Sequence, residues 1–230
     1  MNLDSIIEDI NIYKSNRHYR LGDVILQRGL RWTHDRDVIL NDSIYDNSFL
    51  KTYLYHCNRD TIDDHALLKA VEEHTRNIGT LDNHLYLSIR TGDVLMTPEG
   101  KYDIKNCHGT GYRSFLLNPE LLYEKIITVK TATNIKSIQL ITAMHFGDNE
   151  KHNTWRYNDE IVQKNKVHLL EILQYINENI NLTITHDNNK HLTAIQQIDH
   201  DFLTLCTAKH IITEGTHFGE LIMKIRNLIK

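Results

Sequence analysis

Several features that would narrow the function of this chain are scarce. The 230 residues contain only two prolines, 10 glycines and three cysteines. So few prolines and glycines argue against a disordered or linker-rich architecture. The cysteines (Cys57, Cys107 and Cys206) lie far apart and form neither a CxxC pair nor a zinc-site spacing. We therefore expect reduced thiols and a cytoplasmic protein, with the sequons at Asn41 and Asn181 arising by chance.

No apolar run approaches the roughly 18 residues of a membrane span, and the first residues, Met1-Asn-Leu-Asp-Ser-Ile-Ile-Glu-Asp9, carry acids where a signal peptide needs a positive charge. The net charge of -4 predicts no general affinity for nucleic acid. A Walker loop, GxGxxG, GxSxG and HExxH are all missing. Kinase, classical dehydrogenase, hydrolase and zinc-protease functions therefore lack support.

The most informative segment that is present is Leu85-Tyr-Leu-Ser-Ile-Arg-Thr-Gly-Asp93. An apolar, β-prone run ends in a glycine turn that carries Arg90 and Asp93, a pattern by which α/β proteins place charged groups at the C-terminal edge of a sheet. Arginine there can grip phosphate with two parallel hydrogen bonds. Ordinary turn chemistry is the alternative interpretation.

From residue 84 onward, apolar periodicity predicts alternating strands and helices. The predicted strands cover 85–90, 137–145, 182–185 and 208–213, and the predicted helices begin at Asn118-Pro119-Glu120 and cover about 158–177, 199–207 and 218–229. Such alternation favours an α/β fold, a Rossmann-like parallel sheet with helices on both faces. Ligands bind such sheets beyond the C-terminal strand ends, so we expect Arg90, Asp148 and the 214–217 turn at that edge.

The first 83 residues are less regular. A helix is predicted over 63–78, and 6–13 fits either a short helix or a strand. We therefore predict two domains, a small N-terminal region over 1–83 and the Rossmann-like domain over 84–230.

A second candidate site is the last strand–turn–helix, where Thr213, Gly215 and Thr216 precede a helix N-terminus. Free backbone N–H groups at such a terminus bind anions, and a threonine hydroxyl can touch a phosphate oxygen. A plain helix N-cap is the alternative interpretation and is the commoner case for an isolated turn of this type.

These two segments resemble those of fucosyltransferases that use GDP-fucose. Ser88-Ile-Arg-Thr-Gly-Asp93 is similar to their His-x-Arg-x-Gly-Asp element, with Ser88 in place of the histidine and Thr91 in place of a common second arginine. The segment 201–218, Asp-Phe-Leu-Thr-Leu-Cys-Thr-Ala-Lys-His-Ile-Ile-Thr-Glu-Gly-Thr-His-Phe, is similar to their later helix–strand–turn, without its tryptophans. Phe146-Gly-Asp148 falls where the family often has Ser-Asp-Asp. The resemblance covers about residues 84–230, roughly two thirds of the chain.

The resemblance implies a GT-B-type donor domain and metal-independent sugar transfer with inversion, with no cofactor. A GDP-sugar, such as GDP-fucose, would be the donor and a glycan the acceptor. Arg90 would hold the donor diphosphate and Asp93 would orient Arg90 through an ion pair. The remaining donor-binding residues implied are Gly92, Asp148, Asp201, Phe202, Glu214, Gly215, Thr216, His217 and Phe218.

Two other hypotheses stay open. A Rossmann-like binding or scaffolding module descended from such enzymes would explain the missing histidine and tryptophans. Another transferase of the same architecture, of pyruvyl or heptosyl type, would use a different donor. Asp35-Arg-Asp37 is the Asp-x-Asp of metal-dependent glycosyltransferases, but with 30 acids in the chain it arises easily by chance, so no metal site is predicted.

Overall fold

The structure is a computed structural model, and only part of the chain is described. The described residues are 2–16, 64–76, 78–97, 99–107, 109–110, 114–148, 159–186, 189, 192 and 194–229.

The chain divides into two compact units, each assembled from three separate segments. The sheet unit consists of Met1–Arg17, Leu81–Asn188 and Lys209–Gly215, and the helical unit consists of His18–Thr80, Asn189–Ala208 and Thr216–Lys230. The sequence-based boundary between residues 83 and 84 is a linear division, whereas these units interleave along the chain. The N-terminal segment belongs to the sheet unit.

The sheet unit contains every strand of the described residues. In chain order its elements are α1 (Leu3–Glu8), β1 (Ile12–Asn16), β2 (His84–Ser88), β3 (Thr91–Gly92), a 3₁₀ turn (Asp93–Leu95), α3 (Pro119–Ala132), β4 (Ser137–Ile141), β5 (Met144–Asp148), α4 (Asp159–Ile180), β6 (Thr183–His186) and β7 (His210–Ile212). The helical unit contains α2 (Asp64–Thr75), α5 (Ala194–Thr207) and α6 (His217–Ile229).

The four-stranded sheet has the order β6-β4-β2-β7, and all of its pairs are parallel. This confirms the predicted α/β fold with a parallel sheet. Leu85, Tyr86 and Leu87 are buried in succession in β2. Because neighbouring strand residues point to opposite faces, both faces of this strand are covered, as in parallel sheets generally.

Two of the predicted strands are interrupted, which corrects their boundaries. The predicted strand 85–90 ends at Ser88 and resumes at Thr91, and the predicted strand 137–145 ends at Ile141 and resumes at Met144. β3 and β5 form a second parallel sheet, in which β1 pairs with the other side of β5. Arg90 therefore lies between two sheet sections rather than at the last residue of one strand.

The difference in residue number between paired residues is the same before and after the interruption. Leu85 pairs with Ile138 before it and Thr91 with Met144 after it, and 138 − 85 and 144 − 91 both equal 53. Buried threonine hydroxyls satisfy two carbonyls in the gap. Thr142 donates to Ile89 O (2.7 Å) and Thr91 donates to Ala143 O (2.8 Å). The backbone is thus fully anchored on both sides of Arg90.

Three helices pack around one another in the sheet unit, since α4 contacts both α1 and α3. The predicted start at Asn118-Pro119-Glu120 is confirmed, with proline in the first turn of α3. The predicted helix over about 158–177 is confirmed as α4, which buries an apolar stripe that includes Ile161, Leu169 and Leu173, and Asn165 and Lys166 are buried with it. Lys166 reaches Glu8 of α1, with 2.6 Å between Nζ and Oε2.

The helical unit is held by contacts among α2, α5 and α6. The helix predicted over 63–78 is confirmed as α2, which ends three residues earlier, at Thr75. Leu67 and Ala70 of this helix are fully buried. The predicted start of α5 at Asp199 is wrong, since the helix begins at Ala194. No helix in the described ranges is both long and apolar enough to cross a membrane.

Candidate functional site

The order of the parallel strands defines where a ligand would bind in the sheet unit. Numbered along the chain as first to fourth, β2, β4, β6 and β7 lie in the order 3-2-1-4. The order therefore reverses between β2 and β7. In open α/β sheets ligands occupy the crevice beyond the carboxyl ends of the strands at this switch point. Arg90 follows β2 and Glu214 follows β7, so the two residues lie at this position.

The guanidinium of Arg90 is held by Asp93. Its Nη2 donates to both carboxylate oxygens, at 3.0 Å to Oδ1 and 3.2 Å to Oδ2. The side chain of Asp93 is only 4% exposed, whereas that of Arg90 is 28% exposed. The carboxylate is thus buried, whereas the side chain of Arg90, which carries a permanent positive charge, stays partly accessible to solvent. The ion pair expected between these residues is present.

Glu214 holds the backbone of Arg90 from the β7 side. The N–H of Ile89 donates to Ile141 O on the β4 side, and the next N–H, that of Arg90, donates to Glu214 Oε2 (3.2 Å). β7 has ended at Ile212. The carboxylate therefore takes the place of a strand carbonyl where the neighbouring strand has stopped.

The other oxygen of Glu214 reaches the loop before α3. Oε1 accepts hydrogen bonds from the Phe115 N–H (2.7 Å) and the Ser114 hydroxyl (3.0 Å). Glu214 is 4% exposed. Burial raises its pKa to about 7, while the three hydrogen bonds and the charge of Arg90 oppose a larger rise. This carboxyl group therefore titrates near neutral pH.

The backbone beyond Arg90 is fixed by glycine geometry and by a buried amide. Gly92 has φ 95° and ψ −114°, a conformation that residues with a Cβ avoid. Its N–H donates to Asn165 Oδ1 (2.9 Å), and Asn165 Nδ2 donates to Ile161 O (2.9 Å) within α4. One helix thus fixes the turn that carries Asp93.

Other predicted site residues belong to the helical unit. Thr216 Oγ1 accepts from the Gly219 N–H (3.2 Å), so this threonine acts as the N-cap of α6, the alternative interpretation given above. Phe202 is fully buried and packs on Phe218, with ring centroids 5.8 Å apart. The two rings therefore pack together within this unit, and their role in donor binding remains a prediction. Asp201 accepts from Gln197 Nε2 (2.7 Å).

For three further predicted site residues we give only the position of the backbone. Asp148 is the last residue of β5, where it pairs with Asn16 of β1. Gly215 is exposed at the end of the sheet unit, and His217 is the first residue of α6. The role of these three residues in donor binding remains a prediction.

Sequence reasoning missed the residues that support the switch point. Ser114, Phe115 and Asn165 contact it through bonds that span 73 to 100 residues of sequence. Asn165 carried a usable signal, because it lies four residues from Ile161 and from Leu169 within the apolar stripe of α4. A polar residue in such a stripe needs buried partners. The sequence around Ser114 and Phe115 carried no comparable signal.

Some positions named in the sequence analysis lie outside the described residues, namely Asp35-Arg-Asp37, Asn41 and Cys57. Within the described part of the chain, no group of three or more His, Cys, Asp or Glu side chains is arranged to hold a metal ion. Tyr102 is half-buried beside Lys164, whose Nζ lies 5.3 Å from the ring centroid, and burial raises the pKa of this phenol.

Comparison of the chain with protein-family models, with curated proteins and with solved structures finds no match.

Proposed function

We propose that this chain is a glycosyltransferase of the fucosyltransferase type, which transfers a sugar from a GDP-sugar to a glycan hydroxyl with inversion. The observation that carries the proposal is Arg90, whose side chain lies at the switch point, is held by Asp93 and stays partly exposed. A permanently charged donor fork in a fixed position suits recognition of a diphosphate. The resemblance of 88–93 to the family motif supports the same role.

The proposed chemistry is a direct displacement. The acceptor hydroxyl oxygen forms a bond to the anomeric carbon while the bond from that carbon to the phosphate oxygen breaks. GDP leaves with the electron pair, and the hydroxyl proton passes to solvent water. Arg90 would stabilise the negative charge that develops on the leaving diphosphate. Asp93 would keep the guanidinium in place as a positioning residue.

A binding module without catalysis is the second candidate, and Thr91 favours it. In the motif this position commonly carries a second arginine, but here it is a fully buried threonine whose hydroxyl bonds Ala143 O. With one arginine in place of two, less positive charge is available to stabilise the leaving diphosphate, whereas one guanidinium still suffices to bind an anion.

Thermal unfolding of the full chain against GDP, UDP, ADP, CMP and their sugars tests binding. A ligand at 100 times its dissociation constant stabilises the native state by about 2.7 kcal/mol, a shift of a few degrees for a chain of this size. We expect the shift with GDP and GDP-sugars only. No shift with any of these nucleotides contradicts the proposal, and a shift with another nucleotide favours a different transferase.

Substitution of Arg90 tests whether GDP binds at the switch point. We expect R90A to abolish the GDP shift and R90K to weaken it, because lysine keeps the charge but loses the planar fork. R90K also keeps a cation beside buried Asp93, so it guards against loss of the fold. Exposed Arg76 in the helical unit is the matched control, and R76A should bind GDP normally. Unchanged GDP affinity in R90K and R90A would remove Arg90 from the site.

Release of sugar from the donor then separates the two candidates. Hydrolysis of a GDP-sugar, or its transfer to an offered glycan, supports the transferase. GDP binding without either reaction supports the binding module.

A further inference from the structure

Glu214 joins three chain segments that are distant in sequence. Its two oxygens accept hydrogen bonds from Arg90 after β2 and from Ser114 and Phe115 before α3, while Glu214 itself follows β7. The two strands that bracket the switch point are thereby tied to the connection that leads into α3.

The donors around Glu214 favour the ionised carboxylate, which only accepts hydrogen bonds. Two backbone N–H groups and one hydroxyl converge on the two oxygens, in a place where the residue is 4% exposed. A carboxylate can accept all three bonds. Glutamine would direct an NH₂ group at one of the backbone N–H groups and leave that donor unsatisfied.

We propose that Glu214 is a positioning residue that holds Arg90 at the switch point, and that anion binding by Arg90 is coupled to uptake of a proton at Glu214. The coupling rests on the proposed function, because it takes Arg90 to be the anion-binding group. The positioning of Arg90 by Glu214 rests on the hydrogen bonds alone.

The charges that face Glu214 explain the coupling. Arg90, which is itself paired with Asp93, is the charged group that acts on Glu214 from the β2 side, and the described residues 114–116 bring no titratable side chain. An anion bound to Arg90 adds negative charge near Glu214 and so favours the protonated carboxyl group. By linkage, ionisation of Glu214 weakens anion binding. Burial already raises the pKa of Glu214 to about 7, so this occurs near neutral pH.

The first test uses the wild-type chain without ligand. Amide NMR signals of Arg90 and Phe115, which bond opposite oxygens of Glu214, should titrate together with a midpoint near pH 7. Their titration should vanish in E214Q, while E124Q, at an exposed carboxyl group of α3, should keep it. Two amides that do not move between pH 5 and 8 would overturn the proposal, even if E214Q fails to fold.

The second test measures sulfate binding through thermal stabilisation, because sulfate keeps the same charge between pH 5 and 8. We expect the affinity of the wild type to fall about fivefold from pH 6 to pH 8, because ~1.4 kcal/mol of repulsion between like charges sets a tenfold limit that is reached only well above and below the pKa. E214Q should bind sulfate more weakly at pH 6 and should lose this dependence. Histidines also titrate in this range, but their contribution to the pH dependence of sulfate binding is the same in the wild type and in E214Q. Equal pH dependence in wild type and E214Q would refute the coupling.

The same variants separate this proposal from the function proposed above. If GDP does not stabilise the wild type while the amides titrate and sulfate binding follows pH, the donor assignment fails and the role of Glu214 stands. If GDP binds through Arg90 equally well in E214Q at both pH values, the role of Glu214 fails and the donor assignment stands.

Discussion

Gly92 adopts a backbone conformation that costs other residues strain. Its φ of 95° with ψ −114° lies outside the regions open to residues with a Cβ. We expect G92A to lower the free energy of unfolding by about 1–3 kcal/mol, as measured by urea denaturation. Gly79 is the control, because a Cβ there meets nothing within 4 Å and G79A should be nearly neutral. Equal stability of the two variants would show that the turn tolerates a side chain.

At the residue scale, local patterns predicted part of the site. The glycine turn identified Arg90 and Asp93, and their ion pair is present at 3.0 Å. The environment of Glu214 was not predictable, because its partners Arg90 and Phe115 lie 124 and 99 residues away. An isolated sequence does not reveal that a glutamate in a polar turn will be buried. The pairing of β2 with β7 brings Glu214 to Arg90, and the fold of the loop before α3 brings Phe115 to the same carboxylate.

At the scale of the element, the start of α6 depends on its cap. We expect T216A to lower the free energy of unfolding by about 1 kcal/mol, because the Gly219 N–H loses its acceptor. T128A, on the exposed side of α3, is the matched control and should change little, since alanine favours a helix interior. A neutral T216A would mean that water replaces the cap without cost.

Helices were predicted more closely than strands for a physical reason. Proline at the first turn of α3 and the apolar stripe of α4 mark these elements locally. The interruption of the strands has no such mark, because Ile89 and the segment Ile141–Ala143 continue a β-prone pattern. The start of α5 was missed because Asp199 resembles a helix N-cap.

At the scale of the whole molecule, the N-terminal segment is part of the fold. Ile7 of α1 is 3% exposed and belongs to the main hydrophobic core. We expect I7A to cost about 2–4 kcal/mol in chemical denaturation, because the cavity left behind closes only partly. Ile104, which is 40% exposed, provides the control variant I104A with little expected effect. A stable I7A would mean that α1 contributes little to the sheet unit.

Sequence patterns predict a linear boundary between domains, whereas the two units of the structure interleave along the chain. Strand and helix patterns are read along the chain, whereas β1 pairs with β5 more than 130 residues later. Residues 2–16 gave only a weak signal because α1 and β1 have six and five residues. Short elements of this kind are specified by the partners that they meet in the folded chain.

The constant offset of 53 residues across the strand interruption restricts how the length of this chain can change. Loss of one residue at Ile89–Arg90 alone would shift β3 by one position against β5 and exchange the faces of its side chains. A matching loss at Thr142–Ala143 would restore the alignment. Insertions and deletions at these two places are therefore tolerated in pairs, so the two short gaps must lengthen or shorten together as the sequence diverges.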